Sequence, residues 1–484
     1  MSQRLTDDPP GYPRPRERLD RKTVLAIVAM GVAVIVIAND FTALSVALPA
    51  IEKDFHSELG TVQWTVNAYA LVFGVLIVSG GRLADMFGRK RMFFVGTAIF
   101  ALFSFLSGVA PSDLWLIAFR ALMGIGGALM WPAILGMTYS ALPPSRAGLA
   151  GGLILGAAGF GNAVGPLVGG LLTDLLSWRW IFLINVPIAA GAVAVTWVAI
   201  KQTEAPSERA RLDYPGMATL SIGLVLLLLA LDQASDWGWA DVRVLALFAG
   251  SGILLVAFAL IEGGSGAAAL IPSDVISNRP FAAACLAVLL TSAVFFAALL
   301  YLPQLMTRVL GYSALQSGAG LLPMMATFAA VSFASGPLYE RFHAKVVVSC
   351  GAAAIAAGIF VLSIADRGSS YLLLVPGMLV LGVGIGLFYA AVTTAAVTAL
   401  DPSRTSLAGG IVYMFQIAGG SIGLGVNTAI VLAGSSLAAG IQTAFRVDTV
   451  LTLCALAVSL AAVGRRLERS NLSLSHQTHH RTIR

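Results

Sequence analysis

Unbroken apolar stretches of about twenty residues recur from one end of this chain to the other, separated by short segments that carry charge, glycine and proline. A helix needs about 20 mostly apolar residues to cross the hydrocarbon core of a bilayer, so each stretch predicts one crossing. Six are expected at residues 24–46, 61–80, 92–109, 114–135, 149–171 and 180–200. Two follow at 214–231 and 243–262, and six more at 281–305, 316–335, 345–365, 371–395, 407–431 and 446–464. The expected class is an all-α integral membrane protein with 14 transmembrane helices.

Composition strengthens this reading. Of 484 residues, 58% are hydrophobic and 11% charged, where a soluble domain carries about 25% charged residues. The first apolar run follows a basic tail as a signal peptide would, but it is too long for one and contains Asp40, so it reads as a retained helix. Cys285, Cys350 and Cys454 lie in apolar stretches without metal-ligand spacing, which suggests neither a disulfide framework nor a zinc site.

Charge sets the orientation. The loops on one side, together with both tails, hold 23 Lys and Arg, and the opposite loops hold six. The positive-inside rule makes the richer side cytoplasmic, and two cytoplasmic termini require an even number of crossings. The net charge of +6 is spread over short loops and tails rather than one amphipathic face, so nucleic acid is not an expected partner. Trp178 and Trp180 fall at the outer mouth of the sixth helix, where an aromatic belt is expected.

An internal repeat organises the helices. ALPPSRAGLAGG at 141–152 returns as ALDPSRTSLAGG at 399–410, and GRLADMFGRK at 81–90 has a weaker echo in GPLYERFHAK at 336–345. Both echoes fall on the cytoplasmic side, so the repeats are parallel, an arrangement in which substrate binds between two halves near mid-membrane. The expected organisation is a tail at 1–22, a six-helix bundle at 23–200, a linker with two inserted helices at 201–280, a second bundle at 281–464 and a tail at 465–484.

These motifs closely resemble those of the major facilitator superfamily, specifically its fourteen-helix drug:proton antiporter branch. GRLADMFGRK is similar to the signature loop after helix two, and Gly152, Gly161, Gly165, Pro166, Gly169 and Gly170 to the antiporter motif of helix five. Asp40, Thr42 and VALP at 46–49 resemble the first-helix motif, WRWIFLINVP at 178–187 the sixth-helix entry, and Arg120 with Gly124 the fourth-helix motif. Ser45 stands where that branch usually has Asn, and Met123 where it usually has Gln. The resemblance implies the major facilitator fold, two six-helix repeats plus two inserted helices, and proton-coupled efflux of small lipophilic compounds such as antibiotics or drugs.

Residue chemistry gives the candidates their roles. Asp40 and Arg120 are expected about six residues inside the outer ends of helices one and four, close enough in depth to pair. An intramembrane charge is costly unless paired or hydrated, so both are proton-coupling candidates, with a static helix-to-helix bond as the bland alternative. Asp85 and Arg89, with Gly81 and Gly88, resemble the family's gating loop, where Asp85 could cap a helix of the other half. In helix five the glycines allow close approach and Pro166 can bend the helix.

Phe295, Phe296, Tyr301, Phe388, Tyr389, Tyr413 and Gln416 are candidates for an apolar substrate cavity, as is Phe415. The second-half acids Glu340, Asp366, Asp401 and Asp448 are all expected in loops or at helix ends, which predicts a single coupling acid and neutral or weakly charged substrates. The inserted helices are expected to hold no buried charge, their ends being marked by Asp213, Asp232, Arg243 and Glu262.

No cofactor is implied beyond the proton gradient as energy source. The expected partners are a small lipophilic substrate, protons and the lipid of the cell membrane, and the expected functional unit is a monomer. A proton-coupled importer of a small metabolite on the same fold is the alternative. A membrane enzyme would need convergent acid, base, nucleophile or metal ligands, and no such set is found.

Overall fold

The computed structural model describes residues 20–200, 213–265, 269–312, 314–365 and 370–463. Asp366, His476, His479, His480 and most of both tails lie outside the described residues. Among those described there is no strand, and thirteen helical stretches are long and apolar enough to cross a membrane. One of them, Gln316–Leu362, has 47 residues, about 70 Å at 1.5 Å per residue and twice what a bilayer needs. Its backbone leaves helical geometry at His343 (φ 66°, ψ 154°), so it counts as two crossings and fourteen result.

In chain order these are α1 (Arg21–Phe55), α2 (Leu59–Phe87), α3 (Arg89–Gly108), α4 (Asp113–Ala141), α5 (Ala147–Leu175) and α6 (Trp180–Ala199). Then come α7 (Tyr214–Trp237) and α8 (Val242–Ser265), α9 (Arg279–Gln304), α10 (322–342) and α11 (344–362). The chain closes with α12 (Tyr371–Thr398), α13 (Thr405–Ala433) and α14 (Leu437–Ala462). Helices α1 to α6 pack mainly among themselves, as do α9 to α14. The two groups meet through α5 against α10–α11 and α12, and through α13 against α2 and α4. The hairpin α7–α8 sits at this seam, where α7 touches both α2 and α13.

Several boundaries differ from the hydropathy reading, each for a local reason. Helix α1 has 35 residues, about 52 Å long, and so projects beyond a hydrocarbon core of about 30 Å. Its C-terminal end is clasped by an ion pair between Asp54 and Arg179, with the Trp178 indole donating to Asp54 at 3.2 Å. Trp178 is therefore not a belt residue: it is buried between Phe55 and Phe182, whereas Trp180 is exposed.

Helix α14 begins at Leu437, nine residues before the expected start at 446, because the Ser436 side chain accepts from the Ala439 amide at 3.3 Å and caps it. Gln442, Arg446 and Asp448 lower the hydropathy of this stretch without interrupting the helix. Asp448 is consequently fully buried inside a helix, which corrects the expectation that no second carboxylate is buried. The inserted hairpin departs similarly: Asp213 and Glu262 are each only 8% exposed. Glu262 accepts from the Ile271 amide at 2.5 Å.

Candidate functional site

The charged centre of the first half lies between α1, α4 and α6. Arg120 and Asp40 are both fully buried, and Arg120 Nη1 donates to Asp40 Oδ2 at 2.5 Å. Nε of the same guanidinium donates to the Thr65 carbonyl at 2.7 Å, and its Cζ lies 4.3 Å from the centre of the Tyr69 ring. Nη2 is buried without a partner. On the other side of the carboxylate, Asn185 Nδ2 lies 3.5 Å from Asp40 Oδ1 and 3.2 Å from Ser104 Oγ. The two departures from the family pattern have local uses: Met123 Sδ lies 3.4 Å from Arg120 Nη1, and the Ser45 hydroxyl donates to the Thr42 carbonyl at 2.7 Å.

Thr65, Tyr69, Ser104 and Asn185 were not singled out from the sequence. Thr65 acts through its carbonyl, which every residue has, so no side-chain signal existed. Asn185 did offer one, as a lone amide within an apolar helix, and it is only 1% exposed.

Helix α5 serves two surfaces. A methyl group added at Gly161 would lie 2.8 Å from the Ile35 carbonyl oxygen, and one at Gly169 would lie 2.2 Å from that of Ala43. At Gly165 it would meet the Thr42 hydroxyl at 1.9 Å. These three glycines therefore seat α5 directly on the stretch of α1 that carries Asp40. Gly152 faces the other half, where an added methyl would come within 2.9 Å of the Ser332 carbonyl oxygen. Gly170 is looser, its nearest neighbour being a Val46 methyl at 3.7 Å. Pro166 lies inside α5, which runs on past it to Leu175.

The gating candidates join the halves on the side of the signature loop. Asp85, at the end of α2, accepts from the Ser406 amide at 3.2 Å and the Leu407 amide at 2.8 Å, both in the first turn of α13. A carboxylate there offsets the positive end of the helix and fills two of its unpaired N–H groups. Arg89 holds the carboxylate from its own side at 3.0 Å and crosses to the Pro402 carbonyl at 2.6 Å. Gly81 permits the contact, since a methyl there would be 2.6 Å from the Ser406 carbonyl oxygen. Gly88 makes the turn between α2 and α3 with φ 97°, a conformation that suits glycine.

The second half offers a weaker counterpart. Glu340, at the end of α10, accepts from the Leu149 amide in the first turn of α5 at 3.3 Å. The sequence echo between 81–90 and 336–345 thus corresponds to two carboxylates, each capping a helix of the opposite half.

The cavity candidates separate into two groups. Tyr413 and Gln416 line a small cleft between the halves with Trp131, Leu155 and Thr393. The Tyr413 ring centre lies 4.7 Å from that of Trp131 and 5.4 Å from that of Phe73. Phe295, Tyr301, Phe388 and Tyr389 are instead buried inside the second half. The Tyr389 hydroxyl lies 2.8 Å from Ser292 Oγ and that of Tyr301 2.7 Å from Thr428 Oγ1. Phe296 is half-buried against Phe295 and Gly420, and Phe415 is also half-buried. Trp131, which the sequence reading passed over, is 4% exposed.

Comparison with known proteins accords with this architecture. The chain is 31% identical over 429 residues to the tetracenomycin C resistance and export protein of Streptomyces glaucescens, covering 88% of this chain and 79% of that one. It is 33% identical over 417 residues to the cephamycin export protein CmcT of Amycolatopsis lactamdurans, covering 84% and 85%. The crystal structure of the human organic anion transporter MFSD10 (TETRAN) superposes with a TM-score of 0.66 at 15% identity, covering 91% of this chain and 100% of that one. The Major Facilitator Superfamily matches over residues 30–424 and 284–481. With its two helical groups, its cross-capped seam and these matches along most of its length, the chain belongs to the Major Facilitator Superfamily.

Proposed function

We propose that this protein is a proton-driven exporter of small lipophilic compounds in the cell membrane, with both termini and the signature loop on the cytoplasmic side. The observation that carries the reading is the fully buried ion pair of Asp40 and Arg120, seated under the glycines of α5. A buried carboxylate is tolerated when it is paired or when it is neutral. Arg120 supplies the first condition and a proton supplies the second.

The cycle follows from alternating these two conditions. A proton reaching Asp40 from outside releases Arg120, which keeps its bond to the Thr65 carbonyl and its place over Tyr69. With the ion pair gone, α1 and α4 are free to shift, and the seam capped by Asp85 and Glu340 opens towards the cytoplasm. Substrate enters the cleft beside Trp131 and Tyr413. Return of Arg120 to Asp40 expels the proton inward and resets the outward-facing state. The export direction is supported by the relatives, two of which are named as export proteins.

The test is Asp40→Asn in everted vesicles from an efflux-deficient host, with a lipophilic fluorescent dye as probe and an uncoupler as control. Proton-driven dye movement should vanish, while the variant, although destabilised by the unpaired Arg120, still folds and binds dye at low temperature. Dye movement equal to wild type would refute the role assigned to Asp40.

A further inference from the structure

Among the described residues, the buried carboxylate of the second half has no counterion. Asp448, 11 residues into α14 and so about 16 Å from its outer end, is fully buried. Asn427 Nδ2 on α13 donates to Oδ1 at 3.0 Å. Oδ2 is buried with no hydrogen-bond partner, and so is Asn427 Oδ1. The elements packed against α14 carry Arg279, Cys285 and Tyr301 on α9, Arg308 just after it, Tyr339, Glu340 and Arg341 on α10, His343 at the kink, Lys345 and Cys350 on α11, and Tyr413 on α13. Of these, Tyr301 is the one that interacts electrostatically with Asp448. Arg446, two residues away on α14, does not pair with it among the salt bridges of the described residues.

An ionised carboxylate buried with one amide donor and no cation is strongly disfavoured, and the group takes up a proton instead. We infer that Asp448 is a second, exchangeable proton-binding site, located in the half of the molecule opposite Asp40. One proton from water adds to Oδ2 and the site becomes neutral. That same proton supplies the donor which the pair of unsatisfied oxygens lacks. The contrast with Asp40 lies in the partner: both acids face an asparagine amide, but Asp40 also has the Arg120 guanidinium against it, and Asp448 has no such cation among the described residues.

Its contribution to transport rests on the proton-coupled reading above, but its occupancy by a proton does not. Infrared difference spectroscopy on the full chain in lipid nanodiscs, with 13C-labelled aspartate, reads the carbonyl stretch of a neutral acid directly. At neutral pH the wild type should show such a band, isotope-shifted, sensitive to H/D exchange and reversibly lost at alkaline pH. Asp448→Asn should remove it and Asp40→Asn should leave it. Asp448→Glu, which keeps the acid, should retain a shifted band and guards against a folding defect in the asparagine variant. A spectrum unaltered by Asp448→Asn, or a band that neither exchanges nor titrates, would overturn the inference. Failure of Asp40→Asn to stop dye export would leave this result standing, so the two readings fail separately.

Discussion

Arg120 and Asp40 reach across from α4 to α1 and are in contact at 2.5 Å with neither side chain exposed to solvent. Removing one member of such a pair leaves the other buried and uncompensated, which costs about 3–5 kcal/mol. Arg120→Ala should therefore lower the thermal unfolding midpoint in detergent markedly. The double replacement Asp40→Asn with Arg120→Met removes both charges and should recover at least half of the loss. If the double variant were as unstable as Arg120→Ala alone, the uncompensated charge would not be the source of the instability.

The glycines of α5 differ in how much room they leave, and this separates packing from generic flexibility. A methyl at Gly169 would meet the Ala43 carbonyl oxygen at 2.2 Å, an atom fixed by helix α1, whereas Gly170 has only a Val46 methyl at 3.7 Å. Gly169→Ala should cost about 1–3 kcal/mol through overpacking and impair dye export. Gly170→Ala should be neutral or stabilising by up to about 1 kcal/mol, the helix-propensity gain over glycine. Equal effects at the two positions in unfolding and export assays would argue against a specific seat for α1 on α5.

How far the sequence carried these conclusions depends on the kind of signal each residue leaves. Asp40 and Arg120 were legible because a charge inside an apolar run has few explanations. Asp85 was legible through its loop, and the repeat showed where its counterpart Glu340 would lie. Asp448 was hidden because Gln442, Thr443 and Arg446 lower the local hydropathy, and a hydropathy window cannot see the Ser436 cap that starts the helix earlier. The aromatic residues were ambiguous for another reason. Whether a ring faces lipid, a bundle core or the cleft depends on helix rotation, and only the fold sets Tyr413 against Trp131 while burying Phe388 and Tyr389 elsewhere.

That division predicts two classes of aromatic variant. Phe388 is fully buried in the second half, and Phe388→Ala should cost about 3–5 kcal/mol of stability without altering the affinity of the folded protein for the dye. Tyr413→Ala opens the small cleft lined by Trp131 and Gln416, so it should change dye affinity and the range of compounds exported, with a smaller loss of stability. Fluorescence-anisotropy titration of dye on the purified variants distinguishes them. A loss of affinity in Phe388→Ala with none in Tyr413→Ala would place the binding surface inside the second half.

The two capping carboxylates are unequal, and their inequality should be measurable. Asp85 is 8% exposed, receives two amides of α13 and is held by Arg89, whereas Glu340 receives one amide at 3.3 Å in an exposed contact. Hydrogen bonds to a charged group contribute about 1.5–3 kcal/mol when desolvated, and exposure reduces this towards the 0–1 kcal/mol of surface pairs. Spin labels at Ser145 and Arg341, both exposed on this side of different halves, report opening as an increase in distance once Cys350 and Cys454 are replaced by serine. Asp85→Ala should shift the distance distribution strongly towards the open form and Glu340→Ala only slightly, since an equilibrium moves by the free energy that distinguishes its two states. Dye affinity within the opened population should stay the same in both variants, because neither carboxylate reaches the cleft at Tyr413. Equal shifts from the two variants, or none from Asp85→Ala, would show that the seam is held by the close helix contacts at Gly81 and Gly148 rather than by the carboxylates.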